Sequence, residues 1–324
     1  MIHTLTLNPA IDQMVLLEEF LPGDANRIME SRTDPGGKGI NVSRALQELG
    51  CESVALGFAA GTRGRFVEAA LKERGIYTDF MRIPGKTRTN ITIIDQKHNT
   101  TTTLNEPGPH TDPHHMANLT RRLHKHLSAG DWLVIGGSVP PGLSTDVYGG
   151  IIQMANEMGV RCVLDTEGPP FRSAIGARPY MVKPNQAEVE RLLGHLPKSK
   201  DPMLDAADRI HALGVEIVVL SQGARGAIMV TSQGAWRAYP PALAASNTVG
   251  TGDAMVAGMV QVLSHGGSPE EALRLGSAAG AAAALTVGTQ PCRPADVVRL
   301  LPRVQVHPVP RTPAKHRAAE PVGV

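Results

Sequence analysis

The chain has 324 residues, 42% apolar and 19% charged, with a formal net charge of +2. That length accommodates one large α/β domain, or a core domain with a smaller appendage. So small a net charge argues against nucleic acid or a membrane surface as a partner. No apolar run reaches the roughly 18 residues of a membrane helix, and the N-terminus lacks the pattern of a secretory signal.

In chain order, "HTLTLN" from His3 to Asn8 reads as a strand, "GINVSRALQEL" as an amphipathic helix, and Ser53 to Ala60 as another strand. The segment "FVEAALKERG" follows as a helix stopped by Gly75. Further on, "DWLVIGG", "RCVLDT", "YMVKPN" and "EIVVLSQG" are short apolar runs ending in polar or glycine-rich turns, as buried parallel strands do. Helical stretches at Thr145 to Met158, Gln186 to Leu193 and Asp205 to Leu213 separate them. This order predicts an α/β fold, a doubly wound and mainly parallel sheet with ligands at the carboxyl ends of its strands.

Two polar-alternating segments, about 13–34 and 87–106, lack a helix after each strand and predict a small antiparallel sheet with one exposed face. They suit either surface hairpins or a lid. From 303 to 324 the chain turns Pro-, Arg- and His-rich and is expected to be a flexible tail after a domain of residues 1–302. The cysteines Cys51, Cys162 and Cys292 are widely separated and odd in number, which points to buried thiols and a reducing, cytoplasmic address.

The P-loop, dinucleotide-binding and protein-kinase patterns are all absent. His114-His115 and His124-x-His126 lie on a polar stretch and read as solvated rather than as metal ligands. The stretch "NTVGTGDAMVAGM" is different. Gly250 and Gly252 bracket Thr251 just before a helix, so backbone amides and the helix N-terminus could form an anion hole for a phosphoryl group. Asp253, at the N-cap or in the first turn, could take a proton from a nucleophilic hydroxyl. Taken alone, the stretch is explained at least as well by helix capping.

A second glycine cluster, "DPGGKGINVSRAL", together with "TLTLNPAID" and "TVGTGDAMVAG", closely resembles the PfkB/ribokinase family of sugar kinases over residues 1 to 302. Within it the chain is most similar to the phosphosugar branch, which contains the 1-phosphofructokinases, tagatose-6-phosphate kinases and minor 6-phosphofructokinases. The resemblance implies a ribokinase-like core with a β-sheet lid, ATP and Mg²⁺ as cofactors with room for a monovalent cation, and a homodimer formed through the lid. It also implies roles for particular residues: Asp253 as catalytic base, Gly250, Thr251 and Gly252 as anion hole, and Asp12, Gly37, Lys38, Asn41 and Ser138 at the sugar. Lys183 and Asn185 of "KPNQAE" would approach the nucleotide phosphates, with Glu188 organising Mg²⁺ through water. Ser221, Gly223 and Gly226 of "LSQGARGA" would form a nucleotide loop, joined by Thr248. The small residues of "AAGAAAALTVGTQ" would flank the adenine.

Arg27 and Arg88, on or beside the lid segments, would add to Lys38 the cations that a phosphorylated sugar requires. "GGKG" and "TLNEPGP" look like the 1-phosphofructokinase and tagatose-6-phosphate kinase members, whereas "LTVGTQPC" resembles the minor 6-phosphofructokinases. The expectation is ATP-dependent conversion of fructose 1-phosphate to fructose 1,6-bisphosphate. A tagatose-6-phosphate kinase, a minor 6-phosphofructokinase and a non-catalytic sensor of sugar phosphate or nucleotide are the alternatives. "DTEGPP", where relatives often have D-T-S-G, leaves the fine specificity open.

Overall fold

The structure, a computed structural model, describes residues 1–243 and 249–311. The first part of the chain forms β1 (Ile2–Thr6), β2 (Ala10–Leu17), β3 (Glu30–Gly36), α1 (Lys38–Glu48), β4 (Val54–Ala60), α2 (Gly61–Lys72), β5 (Tyr77–Ile83), β6 (Arg88–Asp95) and β7 (Thr100–Asn105). Next come α3 (Pro113–His126), β8 (Trp132–Gly136), α4 (Val147–Glu157), β9 (Arg161–Asp165), α5 (Gly168–Ile175), β10 (Met181–Val182), α6 (Gln186–Leu193) and α7 (Pro202–His211). The last part contributes β11 (Ile217–Ser221), β12 (Ala227–Thr231), β13 (Gly234–Tyr239), α8 (Thr251–Ser264), α9 (Pro269–Ala283), α10 (Pro294–Leu300) and β14 (Gln305–Pro308).

The large sheet has ten strands in the order β14-β13-β12-β11-β10-β9-β8-β1-β4-β5. From β11 to β5 neighbouring strands run parallel, and β12, β13 and β14 extend the edge antiparallel. The continuous apolar runs follow from cover on both faces. Within β8, Leu133 and Ile135 join a core with α3 to α7, whereas Trp132 and Val134 join one with α1, α8, α9 and α10. The chain leaves β1 in both directions, to β4 and to β8, and this reversal opens a crevice at the carboxyl ends.

The two polar-alternating segments form a second sheet, ordered β3-β2-β6-β7. It is mixed rather than wholly antiparallel. β2 and β6 pair parallel at its centre, since the long excursion through β4, α2 and β5 brings β6 back in the direction of β2. Part of the segment expected as a tail is folded. β14 pairs antiparallel with β13, and Arg311 bonds Asp208 at 2.7 Å, so residues 305–311 belong to the folded edge. Cys162 and Cys292 are buried and Cys51 partly so, all three as free thiols. Among the described residues no helix is long and apolar enough to cross a membrane.

Candidate active site

The site is built from strand ends. Lys183 follows β10 and Asp165 closes β9, and the parallel register Val182↔Leu164 places these two side by side. Gly136, at the end of β8, leaves room for α1: a Cβ there would lie 2.8 Å from the Lys38 Cβ. Gly37 caps α1 at φ 115°, a conformation few side chains adopt. Lys38 Nζ thereby reaches Asp165 Oδ1 at 3.1 Å, and Lys183 Nζ stands 3.6 Å from the same oxygen. Asp165 is buried, and its Oδ2 has no hydrogen-bond partner among the described residues.

Asp253 lies in the first turn of α8, only 6% exposed. It is not the cap, which is Gly250 at φ 77° with no side-chain capping bond. Instead its Oδ2 accepts a 2.9 Å hydrogen bond from Asn41 Nδ2 of α1. Gly252 lets the Lys183 ammonium approach the start of α8, because a Cβ at that position would sit 3.0 Å from Nζ. Burial raises the Asp253 pKa, reinforced by Asp165 and opposed by Lys38, Asn41 and Lys183. Asp165 behaves oppositely, because Lys183 and Lys38 outweigh its burial and hold its pKa below the usual range. Burial also works against the Lys38 ammonium, but Asp165, Asp253 and Glu188 overcome it and raise its pKa. Two carboxylates in one pocket are thus driven in opposite directions, one to stay charged and one to take up a proton.

On the lid side, Asp12 of β2 sits beside Asn90 of β6 and accepts from its Nδ2 at 2.9 Å. The glycine that makes room for the Asp12 carboxylate is Gly36, where any Cβ would collide with it. Burial raises the Asp12 pKa. Arg88 bridges the sheets at their junction, with Nε donating to the Asn8 carbonyl and Nη1 to the Glu106 carbonyl, each at 3.3 Å. Ser138 Oγ lies 3.1 Å from Asn8 Nδ2. Arg27 is exposed on the β2–β3 loop and makes no hydrogen bond or ion pair among the described residues, so the single chain does not bring it to the cluster.

Asn185 and Glu188 form a reciprocal capping box at α6, with bonds of 2.9 and 2.8 Å, so one Glu188 oxygen is occupied structurally. Asn185 also bridges Ser221 at the end of β11. Gly223 and Gly226 follow at positive φ, and a Cβ on Gly226 would strike the Ala238 carbonyl. Thr248 lies outside the described residues. The small residues from 278 to 290 are largely a packing feature: Ala278, Ala279, Ala282 and Ala283 are buried in the core beneath α8 and α9.

Four residues at or beside the site escaped the sequence reading. Asp165 carried a signal, as a lone carboxylate ending an apolar run just as Lys183 ends the next one. Arg44 carried one too, since it falls on the buried stripe of α1. Asn8 and Asn90 gave none, because their roles depend on the junction of the sheets. Of the histidines, His126 is not simply solvated but pairs with Asp79 at 2.8 Å. His114 and His115 stay at the surface, where with Asp112 they bring one ligand atom each within 4.8 Å of one another.

Residues 5–296 match the model of the pfkB family carbohydrate kinases. The chain is 40% identical to a 1-phosphofructokinase of Xanthomonas campestris pv. campestris over 265 residues, covering 80% of this chain and 83% of that one. It is 32% identical to a tagatose-6-phosphate kinase of Staphylococcus epidermidis over 283 residues, covering 86% and 91%. Among solved structures it resembles phosphofructokinase-2 of Escherichia coli, determined in complex with substrates and products, with a TM-score of 0.89 and 30% identity over 93% of this chain and 98% of that one. The same E. coli protein has also been determined in complex with potassium.

Proposed function

The chain belongs to the pfkB family of carbohydrate kinases, and from that premise we propose that it phosphorylates a ketohexose phosphate, converting fructose 1-phosphate and ATP to fructose 1,6-bisphosphate and ADP. The observation that carries this reading is Asp253, a buried carboxylate in the first turn of α8, held by Asn41 and flanked by Lys38 and Lys183. In the proposed reaction a carboxylate oxygen of Asp253 takes the proton of the sugar hydroxyl, whose oxygen attacks the γ-phosphorus as the bond to ADP breaks. The amides of Gly250, Thr251 and Gly252 and the positive end of α8 stabilise the charge on the transferred group. Lys183 and Lys38 add positive charge, and closure of the small sheet excludes water that would otherwise be phosphorylated in place of sugar.

Mg²⁺ fits the donors present. The orphaned Oδ2 of Asp165 and the second carboxylate oxygen of Glu188 would hold it, directly or through water. When bound it neutralises phosphate charge. Asn185, Ser221, Gly223 and Gly226 would serve the nucleotide, and Asp12, Gly37, Asn41 and Ser138 the sugar hydroxyls. Arg88 and Lys38, which both act on the buried Tyr148, are cations that favour a phosphorylated sugar over a neutral one, and the stronger likeness to a 1-phosphofructokinase than to a tagatose-6-phosphate kinase favours fructose 1-phosphate. Leu21, Ile28, Met29 and Leu104 expose apolar surface on the lid, which supports self-association there.

An ADP-release assay across fructose 1-phosphate, fructose 6-phosphate, tagatose 6-phosphate and the free sugars tests the assignment, with and without potassium. Fructose 1-phosphate should give the highest kcat/KM. Preference for a 6-phosphate would reassign the substrate, and no sugar-dependent ADP release would favour a sensor.

A further inference from the structure

Arg44 is among the largest fully buried side chains of the protein, and no step described above uses it. Its Nη1 donates to three oxygens from separate parts of the chain: the Pro35 carbonyl at 3.0 Å, Asn41 Oδ1 at 3.4 Å and the Thr289 carbonyl at 2.9 Å. Nη2 donates to Asp34 Oδ1 at 3.2 Å. A buried guanidinium is expensive, and Asp34, which Arg44 shares with Arg32 and Arg74, offsets only part of that cost. The contact with Asn41 has a different consequence.

A guanidinium has only donors and an ionised carboxylate only acceptors. Asn41 lies between the two, on Arg44 through Oδ1 and on Asp253 through Nδ2. An amide in that position has one satisfactory orientation: oxygen to the arginine, nitrogen to the aspartate. Flipping it would set NH₂ against guanidinium and oxygen against carboxylate. Resting on the reading of Asp253 as the base, we propose that Arg44 is a positioning residue that locks the Asn41 amide, so that Asp253 Oδ2 stays engaged and Oδ1 is left to meet the sugar hydroxyl. The Thr289 carbonyl, 245 residues away in the chain, anchors the guanidinium from the loop after α9 and keeps the lock in register with that loop.

Asp253 is faced by Lys38 and Asn41 from α1, by Asp165 from β9 and by Lys183 from the end of β10. Arg44 is faced by Asp34 and Arg32 from β3, by Arg74 after α2 and by Asp12 from β2. Burial brings the Arg44 pKa down to about 10, so it remains a cation at neutral pH. Without the lock, Asn41 can turn away and Asp253 loses a hydrogen bond to its charged form, which makes it harder to ionise.

The test is the pH dependence of kcat, read only over the pH range in which circular dichroism shows the variant fully folded, so that the acid limb reports titration and not unfolding. Arg44→Met should lower kcat about tenfold. It should also move the acid limb up by about half a pH unit or more, as expected when a bond to a charged carboxylate is lost. Arg44→Lys, which keeps a charged donor, should recover most of the limb position. If Arg44→Met does not fold, the paired variant Asp34→Asn/Arg44→Met removes both buried charges together and should show the same displaced limb. An acid limb at the wild-type position in Arg44→Met, or in the pair, overturns the proposal. Wild-type turnover by Asp253→Asn would instead overturn the assignment of the base.

Discussion

The carboxyl edge of the large sheet and the outer strand and loop of the small sheet above it hold charge differently, although Asp34 of β3 is itself buried and paired. At the edge, Lys38, Lys183, Asp165 and Asp253 lie in one cluster, where the two lysines bear on the ionisation of both carboxylates. On the small sheet, Arg27 is exposed without a partner among the described residues, β7 is exposed along its whole length, and Arg88, half-buried at the junction, donates to two carbonyls. Charges that act on a transferring phosphoryl group gain from being fixed and dry before substrate arrives. Charges that select a substrate can be left in water until it binds, since their contribution is then to affinity. Changes at the edge should therefore appear in kcat or in stability, and changes on the small sheet in KM.

The largest effect should come from Asp253→Asn, with kcat lowered about 10²- to 10⁴-fold, the scale of a lost general base, and little change in KM. Steady-state kinetics decide this, and a change mainly in KM would erase the contrast between the regions. The same variant should unfold at higher temperature, by an amount corresponding to about 1 kcal/mol, because a strained functional group has been removed. The sign follows from the raised pKa. The folded state holds the proton more tightly than the unfolded chain, so ionised Asp253 costs stability above its folded pKa. Calorimetry at neutral pH should show the gain, and it should shrink as pH falls through that pKa towards the unfolded value of about 3.9. By the same reasoning, wild-type kcat should fall with acid at a pH above the ordinary carboxylate range.

Asp165→Asn should destabilise the fold by about 3 kcal/mol, the low end for a broken buried pair because Lys38 is still about a third exposed, and denaturant titration would measure it. Arg88→Ala should raise the KM for the phosphosugar roughly tenfold, as for loss of one charged hydrogen bond, with the KM for ATP unchanged. An effect confined to ATP would remove Arg88 from the sugar side. Arg27→Ala should change the same KM by only about twofold, the scale of an exposed ion pair, unless self-association carries Arg27 to a site.

The order of elements was legible in the chain because period and punctuation are local: Gln186–Leu193 was read with its own bounds, and β8, β9 and β11 to within two residues at each end. Much of the candidate cluster was legible too, since glycine turns at strand ends and a carboxylate beginning a helix are sequence signals. The parallel pairing of β2 with β6 was not, because it depends on where the chain goes between them. Nor was the folded β14, whose four residues become a strand only against β13. The sequence by itself determined which charges enter the crevice, by setting Lys183 at the end of an apolar run and Lys38 and Asp253 at the starts of helices that follow glycine turns. Only the tertiary structure decided what each would be there. Asp165 and Asp253 are both buried carboxylates, yet one touches two lysines and the other an asparagine, and ionisation in a dry pocket depends on neighbours rather than on residue type.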